Sequence, residues 1–199
     1  METLKQSPKA LNRAVSILKN GGVVICPTDT VYGFLADAGN KKAVDKIYKI
    51  KKRTKSKPLS IFVKDLKMAK ALAEISEKQE KILKKYWPGA YTFILKRLTR
   101  PTRPDLVGIY EVDENTIALR IPSHTFLQKL LKKINRPLVQ TSVNISGQPP
   151  LIKIKDIIEK FSSIRVSETP MLIIDDGNLK NGKPSKIIDL TNSALTILR

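Results

Sequence analysis

Three hydroxyls and one carboxylate crowd the stretch from Pro27 to Gly33. Thr28, Asp29, Thr30 and Tyr32 follow directly on an apolar run, Gly22-Val23-Val24-Ile25. The run reads as a buried strand, and polar groups just past a strand end in an α/β sheet suit a small polar ligand. About twenty residues on, five of the seven residues from Lys51 to Lys57 are basic. Such a cluster suits a phosphate-rich second ligand. Together the two stretches point to a site that joins a small hydroxylated molecule to a nucleotide. Neither a Walker loop nor a dinucleotide glycine loop occurs, so a nucleotide would bind without either.

Other residues add to this picture with less weight. In TSVNISG at 141–147, Ser142 and Asn144 alternate with apolar neighbours and share one face of an extended segment. They can hydrogen-bond a phosphate or ribose, and alone they read equally as a capping turn. Arg120, at the end of a predicted strand, can grip a carboxylate through two parallel hydrogen bonds; an isolated arginine there is otherwise a surface ion pair. His124 is the single histidine and Cys26 the single cysteine, which argues against a zinc site and excludes an intramolecular disulfide. His124 reads as a packing or capping residue, and Cys26 as a small core residue. Ser185, Asp189 and Arg199 lie in a C-terminal stretch that reads by itself as a polar hairpin.

The elements that must position these groups alternate between strand and helix. Ser7-Pro8 begins a helix with a capping hydroxyl and a proline at its first position. Leu11, Val15 and Leu18 then recur at helical spacing up to Gly21-Gly22. Strands are expected at 23–26, 58–63, 91–95, 116–119, 138–141, 171–174, 186–190 and 195–198. Helices are expected at 41–50, about 66–73, 76–86, 123–133 and 154–161, with Tyr86-Trp87-Pro88 packing a helix end against the sheet. The fold class is α/β (α+β): a single twisted mixed β-sheet flanked by helices, in one domain spanning 1–199.

Composition sets the frame. A 199-residue chain with 41% hydrophobic residues can build one core. The apolar runs fall short of the ~20 residues of a membrane span, and METLKQSPKALNRAV lacks an apolar signal region. A soluble cytoplasmic protein is expected. The net charge of +19 favours polyanions, either a nucleotide or a nucleic acid, although a general lysine bias on solvent faces produces the same total.

Six segments in order, PTDTVYGF, Lys51-Lys52-Arg53 before KPLSIFV, WPGAYTFIL, ALRIP, TSVNISG and PSKIIDL…ILR, resemble the YrdC-type threonylcarbamoyl-AMP synthase family, over about residues 10–199. The family's Lys-x-Arg and Ser-x-Asn pairs are present as Lys51/Arg53 and Ser142/Asn144. The resemblance implies a YrdC/RibB-like fold with a basic concave cavity. It also implies a reaction in which L-threonine, bicarbonate and ATP, with Mg2+, give threonylcarbamoyl-AMP and pyrophosphate for a tRNA-modifying threonylcarbamoyl transferase complex. By position it assigns Thr30, Arg120, the Gln140 backbone and Ser185 to threonine, and Arg53, Lys57, Thr116, Ser142, the Pro150 region and Arg199 to ATP. Lys51 and Asn144 complete the polar shell, and no protein side chain is assigned to the metal. No catalytic cysteine, histidine or serine triad is required, because positioned cations and magnesium serve a phosphoryl transfer better than a protein nucleophile.

Two positions depart from the family. Phe62 stands where many members carry a histidine near threonine, and Lys57 where an asparagine is common. The short, single-domain form is expected. Two other readings share the fold: a YciO-like protein binding tRNA or double-stranded RNA through the basic face, and a carbamoyl-transfer module of a hydrogenase-maturation protein.

Overall fold

The computed structural model describes residues 1–103, 106, 108–110, 112–162, 171–180, 182–192 and 195–198. Ten strands among the described residues form one mixed sheet: β1 (Glu2–Lys5), β2 (Val23–Cys26), β3 (Gly33–Asp37), β4 (Ser60–Phe62), β5 (Tyr91–Lys96), β6 (Thr116–Arg120), β7 (Leu138–Ser142), β8 (Met171–Asp175), β9 (Lys186–Asp189) and β10 (Thr196–Ile197). Their spatial order is β1-β8-β2-β3-β7-β4-β6-β5-β9-β10. The helices are α1 (Pro8–Lys19), α2 (Lys41–Lys51), α3 (Leu66–Lys70), α4 (Glu77–Tyr86), α5 (Thr125–Ile134) and α6 (Ile154–Ser162). None is long and apolar enough to cross a membrane.

Local chemistry sets the helix starts. The Ser7 hydroxyl accepts from the Ala10 amide at 3.1 Å, and Pro8 opens α1 where its missing N–H costs nothing. Ser76 and Gln79 form a reciprocal capping box on α4. His124 caps α5, its Nδ1 accepting from the Leu127 amide at 3.4 Å, which is the capping role expected for it. Trp87 packs edge-on against Phe93 of β5, the expected helix end on the sheet. Two strands go beyond the sequence expectation, β1 and β3.

Strand alternation divides the core between the two faces of the sheet. One face carries Ile25, Phe34, Ile61, Phe93, Leu119, Val139 and Ile173, covered by α2, α3, α4 and α6 in a single cluster. The opposite face carries Val24, Cys26, Leu35, Leu138, Leu172 and Ile174, covered by α1 and α5. That second cover stops at Phe62. Beyond it, over β4, β6, β5 and β9, the same face is left to the polar site.

Candidate active site

A cavity of about 310 Å³ lies on this uncovered half of the sheet. The β2–β3 loop contributes Thr30 and Val31, and the α2–β4 connection contributes Arg53, Pro58 and Leu59. The floor is made by alternate strand positions: Ser60, Thr92, Ile94, Ala118, Arg120, Gln140, Ser142 and Ile187, with Thr141, Pro184 and Ser185 beside them. Six residues assigned from the sequence (Thr30, Arg53, Arg120, Gln140, Ser142 and Ser185) thus meet around one space.

Arg120 sets the chemistry of the deep end. It is 2% exposed, and a buried guanidinium needs partners. Its Nε donates to the Gly89 carbonyl at 2.9 Å and its Nη1 to Thr30 Oγ1 at 3.2 Å. Nη2 lies 2.7 Å from Asp29 Oδ1 in an ion pair, and the Phe62 ring faces the guanidinium at 5.5 Å. Thr28 shapes the loop that delivers these groups. Its hydroxyl accepts from the Thr30 amide at 3.0 Å and donates to the Val31 carbonyl at 2.7 Å. Phe62 lies under Arg120 and away from the cavity wall, so the position noted as a family departure shapes the arginine's surroundings.

The Lys-x-Arg and Ser-x-Asn pairs split in a way the sequence does not announce. Arg53 and Ser142 line the cavity; Lys51 and Asn144 stand behind it. Lys51, 1% exposed, donates through Nζ to the Ser142 carbonyl at 2.6 Å, the Asn144 carbonyl at 3.0 Å and Asn144 Oδ1 at 2.6 Å. Asn144 Oδ1 also accepts from Ser142 Oγ at 2.8 Å, and its Nδ2 donates to the Gln148 carbonyl at 2.5 Å. The Lys51 carbonyl accepts from the Ser146 amide. One lysine therefore ties the end of α2 to the exit of β7, the two walls of the cavity. Burial, and then the Arg53 charge, depress the Lys51 ammonium to about 7.

Toward the mouth, Arg53 is half-buried, its Nε and Nη2 each 3.0 Å from the carbonyls of Lys57 and Pro58. These bonds fold the basic loop back on itself and aim it at the cavity. The Lys57 side chain is exposed and outside the lining. Thr116 starts β6 on the cavity face of that strand, two positions beyond Ala118, and its hydroxyl donates to Asp113 Oδ1 at 3.1 Å. Pro150 lies outside the lining, and Arg199 falls outside the described residues. Asp189 of β9 is occupied by Thr191, whose amide and hydroxyl donate to its Oδ1. Cys26 is fully buried, and burial pushes its thiol well above the ordinary range.

Sequence reasoning missed two lining hydroxyls. Thr92 Oγ1 and Ser185 Oγ are 2.9 Å apart and both buried, and Ser60 Oγ accepts from Gln140 Nε2. The available signal was a lone hydroxyl inside an apolar strand, Tyr91-Thr92-Phe93 and Leu59-Ser60-Ile61. A buried strand spends a polar side chain only where something polar faces it.

Known proteins share this sequence pattern and fold. The Sua5/YciO/YrdC family profile, described as telomere recombination, matches residues 16–199. A Methanocaldococcus jannaschii protein provisionally named a threonylcarbamoyl-AMP synthase is 35% identical over 195 residues, 98% of this chain and 87% of that one. The threonylcarbamoyl-AMP synthase of Pyrococcus abyssi is 33% identical over 187 residues, and this chain spans about half its length (52%). A crystal structure of P. abyssi Sua5 complexed with L-threonine matches the whole chain with a TM-score of 0.83 at 30% identity, covering 56% of that protein. The crystal structure of Escherichia coli YciO matches with a TM-score of 0.81 at 27% identity, over all of this chain and 92% of that one. With the profile spanning nearly the whole sequence and relatives of this similarity, the chain belongs to the Sua5/YciO/YrdC family.

Proposed function

We infer that this chain is a threonylcarbamoyl-AMP synthase, joining L-threonine, bicarbonate and ATP into threonylcarbamoyl-AMP with release of pyrophosphate and water. One observation carries the reading. A single cavity has a buried arginine, Arg120, at its deep end and a basic loop, headed by Arg53, toward its mouth. An amino acid presents one carboxylate and a nucleotide presents a chain of phosphates; the two ends suit them in that order. The synthase name of the relatives, and the L-threonine held by P. abyssi Sua5, agree with this reading.

In this reading Arg120, Thr30, the Gln140 backbone and Ser185 hold threonine. Its amine takes up bicarbonate as an N-carboxylate with loss of water. A carboxylate oxygen then attacks the α-phosphorus of ATP, and the bond to the pyrophosphate oxygen breaks. Charge builds on phosphoryl oxygens, so the residues needed are positioned donors and cations: Arg53 and Ser142 at the wall, with Lys57, Thr116, Pro150 and Arg199 around the nucleotide. Lys51 and Asn144 keep the walls in register. A magnesium ion would arrive with ATP and be held through its phosphates. When bound it neutralises charge on the leaving pyrophosphate.

The product is an activated acyl-adenylate. It serves a tRNA-modifying threonylcarbamoyl transferase complex in the cytoplasm, and the +19 charge suits direct contact with tRNA. Pyrophosphate release that requires both L-threonine and bicarbonate tests the assignment. Folded protein that binds RNA in a salt-sensitive way without such release would instead be a YciO-like RNA-binding protein.

A further inference from the structure

The cavity holds two cationic groups in one continuous space, yet the reading above sends a polyanion to one and a zwitterion to the other. Arg53, half-buried toward the mouth, suits phosphates. Arg120, deeper and drier, would attract phosphates more strongly, because a charge in a less polar setting exerts a stronger field. Something must keep them out. We propose that Asp29 is a specificity-determining residue that cancels the Arg120 charge, so that the deep end takes the carboxylate of a zwitterionic amino acid and refuses phosphate.

The division of labour around Arg120 supports this role. Neutral acceptors aim the guanidinium: the Gly89 carbonyl fixes Nε and Thr30 Oγ1 fixes Nη1. Asp29 adds charge. Its Oδ1 is 2.7 Å from Nη2, its side chain is only 13% exposed, and neither of its oxygens accepts a hydrogen bond among the described residues. It does not line the cavity, so it acts there by its charge, set against that of Arg120, and not by contact with a ligand. Replacing its charge while keeping its shape should leave the direction of Arg120 intact and change only what Arg120 attracts.

This proposal rests on the functional reading for the identity of the zwitterion, but its phosphate arm does not. The test follows the Arg120 Nε–H resonance, assigned by its loss in Arg120→Lys, during titration with inorganic phosphate and separately with L-threonine. Wild type is expected to respond to threonine and stay still with phosphate. Asp29→Asn is expected to respond to phosphate at least about tenfold more tightly and to let phosphate displace threonine, with ATP affinity at the mouth unchanged. Asp29→Glu should restore the exclusion. Phosphate moving the wild-type resonance as strongly as the variant's would overturn the proposal. Should Asp29→Asn not fold, the wild-type titration decides alone: a phosphate response overturns the proposal and its absence supports it. A wild type that excludes phosphate but ignores threonine supports the charge cancellation and removes the functional reading, so the two failures are distinct.

Discussion

One face of one sheet has two fates. Over β8, β2, β3 and β7 its side chains are Leu172, Val24, Leu35 and Leu138, sealed under α1 and α5. Over β4, β6 and β5 it carries Ser60, Arg120 and Thr92, with Gln140 at the junction, and among the described residues no helix seals it. The backbone is continuous across the boundary: Leu138 is in register with Phe62, and Phe62 with Arg120. The ladder therefore does not distinguish core from site; the cover does. Strand pairing supplies rigidity to both halves, and the open half lends it to side chains that must be held in place to do chemistry.

If that is right, substitutions in the two halves should damage different properties, and the boundary residue should damage both. Arg120→Ala leaves Asp29 largely buried without its counter-ion, which costs about 3–5 kcal/mol of stability, and removes the group proposed to anchor threonine as well. Urea unfolding and threonine-dependent pyrophosphate release should both collapse; retention of either would separate Arg120 from one of its roles. In the covered half, Leu130→Ala opens a cavity between α5 and the sheet and costs about 2–5 kcal/mol. Its turnover per folded molecule should stay at the wild-type level. A kcat/KM that falls in step with its stability would mean the two halves are not independent.

Arg53→Ala reverses the pattern. Its side chain bonds only to carbonyls of its own loop among the described contacts, so unfolding should hardly change. Loss of a cation positioned at developing phosphoryl charge should lower kcat/KM for ATP about 100-fold. Near-normal turnover in folded Arg53→Ala would break the assignment of the mouth to the nucleotide.

How much of this could be read in the chain follows from the same division. Caps and helical spacing are local, so Ser7-Pro8 and the α1 spacing of Leu11, Val15 and Leu18 were legible. β3 was not: Gly33 to Asp37 are all buried, leaving no alternation to find, and they begin where a polar loop should end. β1 is four residues long and gains its place from parallel pairing with β8, some 170 positions away. In the site, residue types and order singled out Arg53, Arg120 and Ser142, which the fold brings to one cavity. They could not tell which half of each motif pair faces that cavity. α2 ends at Lys51 and is capped by Lys52, in the left-handed region at φ 51°, where the chain reverses. Lys51 is thereby turned inward and Arg53 toward the cavity, although only one residue separates them.

Lys51 gives the smallest of these effects and the finest test, because it supports the site without lining it. The ammonium is depressed from 10.5 to about 7 by burial first and by Arg53 second. Below pH 7 folded and unfolded chains both carry the proton, and the folded chain bears the full cost of desolvating it. Between about 7 and 10.5 only the unfolded chain keeps the proton, so this group makes stability rise with pH, by up to about 1.4 kcal/mol per unit. Lys51→Met has nearly the same length and no titration. The stability of wild type relative to the variant should therefore grow from about pH 6.5 through 7.5 to 8.5, while contributions of other groups cancel in the difference. Against this stand the three acceptors around Nζ, each of which favours the charged form. A difference that stays flat across that range would mean they hold Lys51 as a permanent cation, and the link between α2 and β7 would then keep its full strength wherever the enzyme works.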